Sequence, residues 1–282
     1  MNPTSCGYAD VNGIKLYHET YGQGEPLVLV HGGLTTITEM RGWIEPLAAK
    51  RQVIAVEMQG HGHTADTDRP LRFTTLGDDI AALLDHLEIP TADVAGHSFG
   101  AAAAMRAAIQ HPHRVRRLVV ISSTAAKAGW YPEARRGMSH VGAAMAANMI
   151  RTPTGKLSTL WPEPHRFPQF LDKMGQLLSE DYDWSPEIAA LPMPVLLVFA
   201  DNDSISQQHV ADFFALLGGG VKEPGWMNTQ LSRSRLAVVP GYSHYNFLVS
   251  PEVPQIVSRF LADPLVNRPA GAAAASQASA PG

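Results

Sequence analysis

Ser98 lies in the stretch Gly96-His97-Ser98-Phe99-Gly100, which follows the apolar pair Val94-Ala95 and runs straight into four alanines, residues 101–104. A Gly-x-Ser-x-Gly spacing of this kind places a hydroxyl at the apex of a sharp strand-to-helix turn. The glycines on either side keep the strand and helix backbones from colliding, and the alanines let the helix lie close to the strand. A serine hydroxyl alone is a poor nucleophile. It needs a base to take its proton and a carboxylate to fix the tautomer of that base. The chain offers His244 as the base, and Asp203 as the preferred acid with Asp201 second and Asp66 a distant third. Attack on a carbonyl also needs donors aimed at the oxygen that becomes charged. The backbone N–H of Phe99 is one, and the stretch His31-Gly32-Gly33-Leu34 supplies the other, with Gly33 favoured over Leu34.

A glycine-flanked serine is common in ordinary loops, so its meaning depends on the elements around it. Asn12-Gly13 between short apolar stretches predicts a hairpin of two antiparallel edge strands. Residues 26–30, 52–57, 117–122 and 194–200 are apolar runs without alternation, as expected of strands buried on both faces of a parallel sheet. Residues 236–239 form the last such strand. Between them, helices are expected near 43–50, over 74–87 with Thr74 or Thr75 as cap, from the elbow to about 110, over 207–217, and over 251–261. Alternating strands and helices imply right-handed crossovers and one α/β sheet. Loops at the carboxyl ends of such strands share one rim, where ligands bind. Ser98, Asp203 and His244 all fall on that rim.

The alternation stops over residues 124–190, which contain no buried strand run. Met138, Val141, Met145 and Met149 recur at helical spacing, a proline- and aromatic-rich piece follows over 153–170, and another helix is expected over 171–178. An insertion of this length inside an α/β domain is usually functional, often a lid. The pocket beneath it is expected to be apolar and lined by Leu34, His97, Met138, Met145, Met149, Trp161 and Tyr245, with Phe167, Phe170 and Trp226 as further contributors.

Composition narrows the classes. The 282 residues are 45% hydrophobic and 17% charged, values of a globular protein with room for a substantial core. A net charge of −4 with scattered basic residues argues against nucleic acid as a partner. No apolar run approaches the roughly 18–20 residues needed to span a bilayer, so no membrane partner is expected. Cys6 is the single cysteine, which excludes an intrachain disulfide, and the first residues lack the pattern of a secretion signal; a cytoplasmic location is the expectation. His31, His61, His63, His111 and His113 include two His-x-His pairs, but four ligands of matched geometry are normally required, so no metal is expected. Gly32-Gly33 and Gly218-Gly219-Gly220 lack the Gly-Lys-Ser/Thr ending of a phosphate loop. No cofactor is expected.

Taken together, His31-Gly32-Gly33, Gly60-His61-Gly62, Gly96-His97-Ser98-Phe99-Gly100, Asp203 and Gly241-Tyr242-Ser243-His244 resemble the α/β-hydrolase superfamily over roughly residues 9–265. More narrowly, they resemble its cap-bearing, esterase-like members. The resemblance implies an α/β-hydrolase fold: a mostly parallel eight-stranded sheet flanked by helices, with a helical cap inserted after strand 6. The division that follows is a core over residues 1–123 and 191–268, a cap over 124–190, and a disordered tail over 269–282. The implied activity is hydrolysis of a small-molecule carboxylic ester, with Ser98, His244 and Asp203 as catalytic residues and Gly33 and Phe99 as the oxyanion hole. Lactones, amides and carbon–carbon bonds are alternatives on the same triad, and a ligand receptor on the same scaffold is the alternative outside enzymes. Similar proteins carry Asp-x-Arg before Gly-His-Gly, where this chain has Glu57-Met58-Gln59. Different loop contacts are expected there.

Overall fold

A computed structural model of the chain describes residues 1–227, 230–264 and 266; the tail expected to be disordered lies outside the described residues. The strands are β1 (Ser5–Val11), β2 (Ile14–Tyr21), β3 (Pro26–Val30), β4 (Gln52–Glu57), β5 (Ala92–His97), β6 (Val115–Ile121), β7 (Val195–Asn202) and β8 (Arg235–Ser243). They form one eight-stranded sheet in the order β1-β2-β4-β3-β5-β6-β7-β8. The β1–β2 and β2–β4 pairings are antiparallel, and every pairing from β4 through β8 is parallel. The hairpin at Asn12-Gly13 forms, with both residues at positive φ. Of these two strands only β1 is an edge, however. The expected second edge strand, β2, is covered on its far side by β4.

The helices of the core are α1 (Arg41–Ala48), α2 (Phe73–His86) and α3 (Phe99–Gln110). Neither Thr74 nor Thr75 caps α2; both lie inside its first turn, and the N-cap Arg72 makes no side-chain cap. In β3 the alternation of a strand buried on both faces is explicit. Val28 and Val30 join the core packed under α2 and α3, whereas Leu27 and Leu29 join the core on the opposite face with α1. The strand order turns around at β3, since β4 pairs on one side of it and β5 on the other. Loops leaving β3 and β5 therefore open a crevice at their carboxyl ends, the usual ligand position in an open α/β sheet.

Between β6 and β7 the chain is helical. It forms α4 (Pro132–Ser139), α5 (Ala146–Met149), α6 (Pro153–Ser158), α7 (Phe167–Ser179) and α8 (Ser185–Ala189), joined by short 3-10 turns. The spacing of Met138, Val141, Met145 and Met149 suggests one helix, but the chain breaks after Ser139. Gly142 is extended at φ 176°, and a Cβ on the neighbouring Gly175 of α7 would strike the Val141 carbonyl. Close approach of α7 to this loop thus replaces a continuous helix. After β7 come α9 (Gln207–Leu216) and, beyond β8, α10 (Glu252–Ala262), whose Val253, Val257 and Phe260 complete the core on the α1 face. Contrary to expectation, β8 is not a buried strand: it closes the sheet, and only Val239 along it is fully covered. Among the described residues no helix is long and apolar enough to cross a membrane.

Candidate active site

Ser98 occupies the turn between β5 and α3 with φ 52° and ψ −114°, a conformation a non-glycine residue adopts only under constraint. The constraint is visible on both sides. A Cβ on Gly96 would collide with the Gly100 carbonyl, and one on Gly100 with the carbonyls of Val30 and His31. The elbow is thus wedged between its own helix and the loop leaving β3, which holds the Ser98 hydroxyl out over the crevice.

The Ser98 Oγ stands 3.0 Å from His244 Nε2, and His244 Nδ1 stands 2.8 Å from Asp203 Oδ1. With the Nδ1–H donating to the carboxylate, Nε2 is left to accept the serine proton. His244 lies directly after β8, stacked on His97 at 5.5 Å and set edge-on to Trp130 at 5.2 Å. Asp203 follows β7. Its Oδ1 also accepts the Ser204 N–H at 2.7 Å, and its Oδ2 accepts the Ser122 hydroxyl at 2.5 Å and the Ala200 N–H at 3.3 Å. Burial pushes this carboxyl up, but the hydrogen bond and charge of His244, with the Ser122 and Ala200 donors, outweigh it and leave it below the ordinary aspartate value. Asp201 faces elsewhere. It is exposed and accepts the Gly241 N–H at 2.9 Å. Asp66 is tied to Lys173 at 2.8 Å and to Gln59 at 2.7 Å.

The turn after β3 is shaped by two buried imidazoles. His31 Nε2 accepts the Met58 N–H at 3.1 Å while Nδ1 donates to the Gly32 carbonyl; His61 Nε2 accepts the Leu34 N–H at 3.0 Å while Nδ1 donates to the Gln59 carbonyl. Both rings are neutral in this pattern, and burial lowers both pKa values, that of His61 further because His31 lies beside it. Leu34, at φ 58°, therefore has its N–H engaged. Gly33 faces the elbow instead, and a Cβ there would lie 3.3 Å from Phe99 Cβ. The Phe99 N–H is at the first position of α3, where no intrahelical partner exists. The Glu57-Met58-Gln59 departure also has its own contacts. Glu57 accepts the His63 N–H at 2.6 Å and pairs with His63 Nδ1 at 2.9 Å, and Gln59 bonds both Asp66 and Arg69.

A cavity of about 400 Å³ opens over Ser98 and His244. Four of the expected lining residues are there: Leu34, His97, Met138 and Tyr245. The others are not. Met145 and Met149 pack partly buried against the core away from it. Trp161 is buried with its indole N–H on the Gly62 carbonyl at 2.8 Å, and the interior residues Phe167 and Phe170 meet it edge-on. Trp226 is 98% exposed. Aromatic residues in this proline-rich stretch thus pack away from the cavity over Ser98, Trp161 lining a separate cleft with Leu160 and Pro162. Sequence reasoning missed Phe73, Lys127, Trp130 and Tyr182 in the lining, and Ser122, whose hydroxyl donates to Asp203. The one available signal for Ser122 was a hydroxyl immediately after the buried β6.

His97 is buried with neither ring nitrogen hydrogen-bonded, and Gly32 leaves space for its Nδ1, which would lie 2.8 Å from a Cβ at that position. Burial, and then the neighbouring His244, push its pKa down to about 3.

Comparison with known proteins agrees with this architecture. The family model described as alpha/beta hydrolase fold matches residues 25–174, more than half of the chain. The chain is 38% identical over 115 residues to 2-hydroxymuconate semialdehyde hydrolase of Pseudomonas sp. (strain CF600), a match spanning 39% of this chain and 41% of that protein. It is 26% identical over 268 residues to pimeloyl-[acyl-carrier protein] methyl ester esterase of Nitrosomonas europaea, spanning 87% of this chain and 98% of that one. The crystal structure of a carboxylesterase from Bacillus subtilis superposes with a TM-score of 0.68 at 22% identity, covering 92% of this chain and 91% of the other. The chain belongs to the α/β-hydrolase fold family.

Proposed function

We propose that this protein is a serine hydrolase that cleaves carboxylic esters through an acyl-enzyme. The observation that carries the reading is the continuous relay from Ser98 to His244 to Asp203, at 3.0 and 2.8 Å, at the floor of a mainly apolar cavity. In this mechanism Ser98 Oγ attacks the ester carbonyl carbon while His244 Nε2 takes its proton. The carbonyl oxygen, now negative, accepts the N–H groups of Gly33 and Phe99; Leu34 is left out because His61 holds its N–H. Collapse of the tetrahedral species breaks the bond to the alcohol, which leaves with the proton from His244. Water then attacks the acyl-enzyme, with His244 as base, and releases the acid and free Ser98. Asp203 stays ionised throughout, holding the ring and balancing its transient charge. Residues 124–190 act as a cap, supplying the wall of the cavity opposite the elbow through Trp130, Met138, Leu178 and Tyr182.

A panel of p-nitrophenyl esters of increasing chain length, with lactone and aminoacyl-amide substrates beside it, tests the reading. Ester turnover is expected, falling about 10⁴–10⁶-fold in Ser98→Ala. Wild-type rates in that variant would refute it. The match to a hydrolase of 2-hydroxymuconate semialdehyde favours carbon–carbon bond cleavage as the second reading. Turnover of a vinylogous diketone acid in preference to every ester would select it.

A further inference from the structure

The cavity over Ser98 carries a cation with no carboxylate in its lining to meet it. Lys127, in the 3-10 turn Lys127–Gly129, is 8% exposed and lines the cavity. Its Nζ donates to the Leu178 carbonyl and lies 3.6 Å from the Met138 sulfur; both partners line the same cavity. No aspartate or glutamate is among the lining residues, and among the described residues no carboxylate lies within ion-pair distance of Nζ. An ammonium has three protons to donate. Here one meets a carbonyl and another only a thioether, a weak acceptor. A buried charge so poorly matched is costly unless something completes it.

We infer that Lys127 is the recognition site for a carboxylate carried by the substrate at a distance from the scissile ester, so that the natural substrate is the monoester of a dicarboxylic acid or a similar acid-bearing ester. The inference rests on the ester reading above. A single ammonium without an arginine fork in the lining suits one carboxylate better than a doubly charged phosphate. Burial, and next the repulsion of Arg135, hold the Lys127 pKa below the ordinary lysine value, against the attraction of Asp181. A bound carboxylate would relieve that cost. The turn that carries Lys127 is closed by Trp130, which sits edge-on to His244, so the proposed anchor and the proposed base are set by one short stretch of chain.

The test compares the mono-p-nitrophenyl ester of glutaric acid with the neutral p-nitrophenyl pentanoate. The wild type is expected to prefer the acid-bearing ester, and in Lys127→Met the ratio of the two kcat/KM values should drop about 10- to 100-fold, mostly through KM. Lys127→Arg should keep most of the preference, and high salt should narrow it in the wild type but not in Lys127→Met. Equal kcat/KM for the two esters in the wild type, or an unchanged ratio in Lys127→Met, would overturn the proposal. Calorimetric binding of glutarate to Ser98→Ala, with and without Lys127→Met, needs no turnover. Binding that weakens at least about tenfold in the double variant, in a protein that turns over neither ester, would uphold the anchor while sinking the ester reading. Ester turnover with no effect of Lys127 on glutarate would do the reverse.

Discussion

The strand-end rim and the helical segment that faces it are held in opposite ways. At the rim, the polar groups around the elbow are tied down, His97 excepted: Asp203 accepts from His244, Ser204, Ser122 and Ala200, while His31 and His61 spend both ring nitrogens on backbone. The backbone there is fixed by contacts in which a single added methyl would collide. Across the cavity, α4 has no fully buried residue, and Met138 and Val141 are only half-covered side chains on a broken run of short helices. The rim therefore tolerates almost no change, whereas the facing wall can vary in shape at small cost. Such a division suits a fixed reaction served by an adaptable substrate surface.

The sharpest way to break this contrast lies at the acid. Asp203→Asn should lower kcat about 10⁴-fold, because the amide can present an N–H to His244 and invert its tautomer. Asp201→Asn should stay near wild type, since its carboxylate holds only the Gly241 N–H and the Asn202 side-chain amide, away from His244. Similar losses in both would mean that the acid is shared and the rim less exclusive than described. On the facing wall the expected effects are smaller and depend on the substrate. Met138→Ala should shift the preferred acyl length by about tenfold in relative kcat/KM, whereas Met149→Ala, outside the cavity, should lower thermal stability and leave the length preference intact. Swapped outcomes would relocate the selective surface.

The effect with no bearing on turnover is on stability against pH. His31, His61 and His97 are all buried with pKa values depressed below the ordinary imidazole value of about 6.5. The unfolded chain thus binds more protons than the folded one as pH falls below that value, so stability is full above it and declines toward acid. For His97 the decline runs from about 6.5 down to its folded value of about 3. Denaturant melts of His97→Asn should show a shallower slope, by up to about 1.4 kcal/mol per pH unit in that window. An unchanged slope would mean that His97 titrates alike in both states.

How much of this was legible in the sequence follows the same divide. The parallel strands are apolar runs closed by glycine or a polar loop, and the chemistry at their ends must appear as particular residue types, so Ser98, Asp203 and His244 could be picked out. Gly33 is favoured over Leu34 there on its glycine backbone alone; the contact that supports this choice, His61 holding the Leu34 N–H from 27 residues away, leaves no signal in the sequence. In the helical segment the same periodicity serves core and cavity alike. Met138 reaches the cavity, but Met145 and Met149 at the same spacing do not, because the helix ends at Ser139. Trp161 reads as lining the cavity over Ser98, but its indole N–H bonds the Gly62 carbonyl and the ring lies outside that cavity. Lys127 and Ser122 lie in ordinary-looking stretches and acquire meaning only from what surrounds them in space.

The central claim is that Ser98 is the nucleophile of a working relay. Labelling with a fluorophosphonate followed by peptide mass mapping tests it most directly. One stoichiometric adduct on Ser98 is expected, absent in Ser98→Ala and formed far more slowly in His244→Ala. An unlabelled wild-type protein, or an adduct on another residue, would contradict it.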